Sequence, residues 1–245
     1  MNLRGIGRLF SIALAVLTLA ACSGQQVTPT DPERDPWEAY NRKVHDFNMG
    51  VDKYVMRPVA KGYDTIMPDA PQRGVRNFFR NLAYPVTFLN LIMQGKFQKS
   101  MDATARFLVN TTIGLGGFFD VASRAGLPHH EEDFGQTMAV WGWEDSRYVV
   151  MPFFGPYTVR DFAGRSFYGY FHPISYMVRE HNAYYLIGID LVTLRAELLT
   201  FDAELQNSPD PYVLIRDVYL QRREFMIYDG EPPPPDYEAL LLEDY

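Results

Sequence analysis

The chain has 245 residues, 23 basic side chains against 30 acidic, a formal charge of −7 and one cysteine. A single cysteine excludes an intrachain disulfide, and an acidic chain without a basic block excludes nucleic acid as a partner, because phosphate contacts need clustered Lys and Arg. With 47% hydrophobic and 15% aromatic residues, global disorder is excluded as well.

Arg4 and Arg8 followed by the apolar run from Leu9 to Ala20 read as a secretory signal over residues 1–21. Its end, Leu19-Ala20-Ala21-Cys22, resembles the bacterial lipobox. That resemblance implies a diacylglycerol on the Cys22 thiol and an N-acyl chain on its freed amine, with no other cofactor. The alternative is an ordinary signal peptide with a free thiol nearby. Ser23 in place of Asp, by resemblance to bacterial lipoproteins, implies sorting to the outer membrane. Cleavage removes two arginines and moves the formal charge from −7 to −9. Anionic headgroups repel such a surface, so membrane association must come from acyl chains and apolar area.

Residues 22–34, rich in Gln, Thr, Ser and Pro, read as a flexible tether. A folded domain is expected over 35–230. Asp35-Pro36-Trp37-Glu38 reads as a capping box with Pro at the first helical position. The spacing of Trp37, Tyr40, Val44, Phe47, Val51 and Tyr54 predicts an amphipathic helix that turns this face to a core or a membrane, with Arg42, Lys43, Asp46, Asp52 and Lys53 opposite. Arg57-Pro58 is expected to end it. Further helices are expected over 58–66, 71–82, 85–94, 96–113, 134–143, 158–170, 184–205 and 211–228, punctuated by Pro and Gly. Thr158 with Asp161 reads as a second capping box, and Asp210-Pro211 as a third helix start. Only Tyr148 to Phe154 reads as extended. The class is all-α with at most one small hairpin. Residues 231–245 carry four prolines and five acidic side chains, a Pro-rich acidic tail that is either solvated or a docking peptide.

No run in the mature chain reaches the 18 or so apolar residues a membrane span needs. Residues 81–95, 107–119 and 148–159 are uncharged and apolar. Such runs suit either a buried core helix or a monotopic body sunk in one leaflet, and the anchor at Cys22 favours the leaflet.

A lipid hydrolase would need G-x-S-x-G on a strand-to-helix elbow. The nearest approach, Gly164-Arg165-Ser166-Phe167, lacks the second glycine. His129-His130-Glu131-Glu132-Asp133 offers metal-type donors without the helical H-E-x-x-H spacing and reads as a loop or cap. No phosphate-cradling loop is present, so the chain is not expected to be an enzyme.

The order of several motifs resembles the MlaA (VacJ) family of outer-membrane lipoproteins of Gram-negative bacteria, over nearly the whole mature chain. They are Asp35-Pro36-Trp37-Glu38-Ala39-Tyr40-Asn41-Arg42, Arg57-Pro58-Val59-Ala60, Arg106-Phe107 with the segment from Asn110 to Ala122, Asp133-Phe134-Gly135-Gln136-Thr137, Ser208-Pro209-Asp210-Pro211-Tyr212 and Tyr219-Leu220-Gln221-Arg222-Arg223. The resemblance implies a ring-like helical lipoprotein, monotopic in the periplasmic leaflet of the outer membrane beside a trimeric porin. Its amphipathic channel would pass strayed phospholipid to a soluble periplasmic lipid carrier. Arg160 and Asp161 are the candidates for the polar side of that channel, or else a helix start. A porin-associated tether without transport is the alternative, and a phospholipid hydrolase the more distant one.

Overall fold

The computed structural model describes residues 30–174 and 183–234. Ten α-helices and one hairpin account for the regular structure of this described part. α1 spans Glu38–Val51, α2 Arg57–Ile66, α3 Asp69–Met93, α4 Phe97–Thr112, α5 Val121–Arg124 and α6 Phe134–Val140. β1 (Tyr148–Met151) and β2 (Gly155–Thr158) pair antiparallel, with Tyr148 opposite Thr158. α7 (Val159–Phe171), α8 (Ala183–Glu197), a 3-10 turn at Leu198–Phe201, α9 (Asp202–Asn207) and α10 (Pro211–Ile227) complete it. The described residues are all-α with one small hairpin, as the sequence reads, and no described helix is long and apolar enough to cross a membrane.

Packing between elements closes on itself. α1 runs into α2, α2 packs on α8, α8 on α3, α3 on α6, α6 on α10, α10 on β2, and β1 returns to α1. Side-chain bonds distant in sequence join its ends: Arg42 grips Asp210 through two hydrogen bonds of 3.1 and 2.8 Å, and Tyr212 donates its hydroxyl to Asp35.

Helix boundaries depart from the sequence reading for identifiable reasons. Arg57-Pro58 does not break the first helix. Residues Asp52–Met56 widen into a π-helical turn that joins α1 to α2, which gives the Pro58 ring room against the preceding turn. The two helices expected over 71–82 and 85–94 are one, with Pro85 inside α3. The helix expected over 184–205 divides into α8, the 3-10 turn and α9, and the one expected to reach residue 143 stops at Val140, followed by Gly142 at φ 105°. After α4 the chain reverses through Leu115, Gly116 and Gly117, all at positive φ. A Cβ on Gly117 would run into the Asn81 side chain, so glycine is required there for close approach as well as for conformation.

The Asp35–Glu38 capping box does not form. Trp37 occupies the N-cap without a side-chain bond, and both carboxylates are fully buried instead. Asp35 accepts from Asn41 Nδ2 at 2.7 Å, and Glu38 from Thr30 N at 2.5 Å and Arg42 Nε at 2.7 Å. The face that α1 turns inward is therefore polar, made of Glu38, Asn41 and His45. Trp37, Tyr40 and Phe47 stand exposed, Val51 is half-buried, and Val44 alone of the predicted stripe packs against the cluster of Tyr148, Val150 and Tyr212. A second apolar cluster joins Tyr84, Leu91 and Ala103. Elsewhere polar residues outnumber apolar ones among the buried side chains described, while Tyr54, Ile66, Phe97, Met101, Leu115, Tyr184, Tyr185 and many other large apolar groups face outward. This inverts the usual partition of a water-soluble fold.

Candidate functional site

Where α3, α4 and the residue 120–133 segment meet, a chain of polar groups crosses the interior. Arg106 on α4 is buried. Its Nη2 lies 2.9 Å from both oxygens of Asp120, its Nη1 donates to the Leu127 carbonyl at 2.5 Å, and its Nε donates to the Tyr84 hydroxyl at 2.6 Å. The same hydroxyl hydrogen-bonds His129 Nδ1 at 2.7 Å. His129 Nε2 in turn hydrogen-bonds Glu131 at 3.0 Å.

Each link has a local reason. The reversal at Leu115–Gly117 returns the chain along α4, so Asp120 comes to Arg106. Asp120 also caps α5, accepting from Ser123 N at 3.0 Å. Burial opposes ionisation of the Asp120 carboxyl, and the donors from Ser123, Asn110 and Arg106 outweigh it, holding the group at about 2. Burial raises the Tyr84 phenol, which keeps it a neutral donor. The hydrogen bond from His129 is the largest influence lowering the Glu131 carboxyl, and burial lifts Glu132 above the usual range.

Three cavities lie along this chain. The first, about 180 Å³, is lined by Asn77, Arg80, Tyr84, Arg106, Asn110, Asp120, Ser123 and His129. The second, about 200 Å³, shares Arg80, Tyr84 and His129 and adds Thr87, Glu132 and Gln136. The third, about 430 Å³, shares His129, His130, Glu131 and Glu132 and reaches Lys99, Arg222, Phe225 and Asp229. Shared walls make them a series running from the α4–α5 turn to the end of α10. No group of His, Cys, Asp and Glu with metal-holding geometry occurs among the described residues; in the 129–133 segment, Asp133 caps α6 by accepting from Gln136 N.

Arg160 and Asp161 lie outside all three linings. Both are buried. Arg160 donates to the carbonyls of Trp143 and Glu144 at 2.7 and 2.9 Å. Asp161 accepts from Arg223 at 2.8 Å and Tyr219 at 2.9 Å. The capping expected of Thr158 does occur, its Oγ1 accepting from Asp161 N at 3.2 Å, while the Asp161 carboxylate is committed to α10. Arg223 also pairs with Asp133 at 2.6 Å, so one guanidinium ties α10, α6 and α7 together. Trp37, Tyr40, Val44, Phe47 and Val51 likewise line none of the three cavities, and Cys22 lies outside the described residues.

Of the lining residues, Tyr84 carries no signature in the sequence, Arg80 marks only the start of the uncharged run 81–95, and His129 belongs to the run 129–133 that reads as a loop or cap. Arg106 and Asp120 do carry one: they bound the uncharged run 107–119, and the three glycines within it mark the reversal that joins its two charged ends.

The chain matches the family model of the MlaA lipoprotein over residues 33–226. It is 34% identical over 238 residues to the intermembrane phospholipid transport system lipoprotein MlaA of Escherichia coli K12, covering 94% of this chain and 92% of that protein. The Haemophilus influenzae protein of the same description is 31% identical, with 91% of each chain covered. An uncharacterized protein of Rickettsia prowazekii is 37% identical over 192 residues, which is 78% of this chain and 76% of the relative. A solved structure described as the structural basis for maintenance of bacterial outer membrane lipid asymmetry superposes with a TM-score of 0.70 at 34% identity, over 79% of this chain and 98% of that one.

Proposed function

This chain belongs to the MlaA lipoprotein family, and from that membership we propose that it removes phospholipid that has strayed into the outer leaflet of the outer membrane. It passes the lipid inward and so maintains lipid asymmetry. The relatives named for intermembrane phospholipid transport support the reading. The single observation that carries it is the inverted partition of the fold. A closed circuit of helices keeps polar and charged groups at its centre and large apolar groups outside, which suits a body immersed in hydrocarbon with a passage for a polar headgroup.

In this reading Cys22 carries a diacylglycerol and an N-acyl chain, and the body rests in the periplasmic leaflet. Trp37, Tyr40 and Phe47 face lipid, as aromatic side chains do at an interface. Arg160 and Asp161 hold the wall of the passage from behind. A trimeric porin beside the protein and a soluble periplasmic lipid carrier beneath it are the expected partners, and the protein breaks no bond of the lipid. Photo-crosslinking from Thr87 or Ser123 in cells tests the passage: labelled phospholipid is the expected product, and its absence with the protein in place defeats the reading. Deletion should raise surface phospholipid; an unchanged level favours the tether. Release of fatty acid from labelled vesicles by the purified protein would favour a hydrolase.

A further inference from the structure

We infer that Arg80 forms a phosphate-binding subsite at the junction of the first two cavities, taking the phosphodiester of a lipid headgroup. The inference deepens the proposed function and rests on it.

Of the two arginines that line the first two cavities, Arg106 and Arg80, charge matching leaves Arg80 with open donors. Asp120 is met by Arg106 at 2.9 Å, Glu132 by Lys96 at 3.2 Å, and Asp133 by Arg223 at 2.6 Å. Glu131 hydrogen-bonds His129 at 3.0 Å, lies 3.7 Å from Arg222, and its carboxyl is lowered by that bond and by the charges of Arg80 and Arg222. On the cationic side, Arg106 spends its donors on Asp120, Leu127, Tyr84 and Ser123. Arg80 has no such set. Its Nη2 lies 3.6 Å from Glu197 Oε1, beyond a good hydrogen bond, and the same oxygen lies 3.6 Å from Arg76. One carboxylate therefore serves two guanidiniums, and about half of the Arg80 side chain is exposed.

Position completes the argument. Asn77, Arg80 and Tyr84 lie on the face of α3 that lines the first cavity, and Arg80 and Tyr84 also line the second. A planar guanidinium with open N–H groups fits two oxygens of a phosphate. Arg76 lines neither cavity, so it shares the counterion of Arg80 without sharing its location.

The test uses the purified full-length, lipidated protein in detergent, with dioctanoyl phosphatidylglycerol, dioctanoylglycerol and inorganic phosphate as probes. Wild type should bind the phospholipid more tightly than the diglyceride. Arg80→Gln should weaken phospholipid binding about tenfold, the order expected for one charged contact, and leave the diglyceride unchanged. Arg80→Lys should lose less, and Arg76→Gln nothing. Equal phospholipid binding by wild type and Arg80→Gln, or an equal loss in Arg76→Gln and Arg80→Gln, overturns the subsite. Binding of inorganic phosphate that depends on Arg80, without the same dependence for phospholipid, overturns the lipid assignment in favour of a free anion. If wild type binds no phospholipid at all, it is the transport reading that fails. Unchanged melting of Arg80→Gln separates lost contact from lost fold.

Discussion

Tyr212 donates its hydroxyl to Asp35 across 177 positions of sequence, and both groups are buried. Arg216, on the same helix, lies 3.5 Å from the same carboxylate. Removing the hydroxyl leaves a buried carboxylate short of a donor, so Tyr212→Phe should cost about 2 kcal/mol, more than a typical lost neutral bond. Denaturant unfolding in detergent measures it; a loss below about 0.5 kcal/mol would contradict the role given to the pair.

The inverted first helix makes a paired prediction. Asn41 is fully buried, accepting from Val150 N at 2.8 Å and donating to Asp35 and the Tyr148 carbonyl. Asn41→Leu should destabilise by about 3 kcal/mol because three buried groups each lose a hydrogen bond at once. Phe47 is 43% exposed and touches Phe153 edge-on at 5.0 Å. Phe47→Asp should therefore cost about 1 kcal/mol or less in detergent and act chiefly by loosening the protein from vesicles. A sequence-only view of α1 would order these two variants the other way.

At Gly117, φ is 98° and an added Cβ meets the Asn81 side chain, whereas at Gly116 φ is 72° and the space is open. Gly117→Ala should lower stability by about 3 kcal/mol, from strain plus overlap, and Gly116→Ala by about 1 kcal/mol from conformation alone. Melting temperatures of the two variants, compared with wild type, check the ranking.

Arg106 and Asp120 should behave as a coupled pair. Asp120→Asn leaves a buried guanidinium without its countercharge and should cost about 3 kcal/mol, and so should Arg106→Gln. The double variant should cost less than the two together by 1 kcal/mol or more, in the manner of groups that share a network. Additive losses in a double-mutant cycle would show that the two act separately.

Acid should weaken the fold in part through His172. Burial lowers its imidazole to about 4, and its Nδ1 accepts from Ile174 N at 3.2 Å, which requires that nitrogen to be unprotonated. The unfolded chain binds this proton near pH 6.5 and the folded chain only near pH 4. The stabilisation is thus complete above about pH 6.5 and is lost as pH falls through about 4, at up to ~1.4 kcal/mol per pH unit. Burial also lowers His45 and His130, which act in the same direction. His172→Gln should flatten the stability profile between pH 6.5 and 4; an unaltered slope would remove His172 from the account.

The helices and the hairpin were legible because hydrophobic period and Pro or Gly punctuation act locally. Asp210 caps α10, and Gly116 and Gly117 turn the chain, as their residue types suit. What was illegible depends on distant partners. Asp35 and Glu38 have the spacing of a capping box, yet Arg216, Tyr212 and Thr30 recruit them into the interior. Pro85 reads as a helix start because nothing nearby shows α3 continuing through it. The apolar stripe of α1 was visible, but a stripe does not say whether it faces a core or hydrocarbon. Arg160 and Asp161 stood out as charges after an apolar run, but their bonds to the Trp143 and Glu144 carbonyls and to α10 could not be read from sequence. Arg80 became notable only when its neighbours proved to be already matched.

The order in which the fold can be completed follows from the bonds between α1 and α10. A chain that emerges N-terminus first exposes Asp35 and Glu38 early, but Tyr212 and Arg216 arrive almost two hundred residues later. Until then the α1 segment carries two carboxylates that cannot be buried, so it stays hydrated and undocked. Closure of the circuit is a late, long-range event that pays its loop entropy last. A truncated chain ending before Asp210 would keep its local helices and never shut.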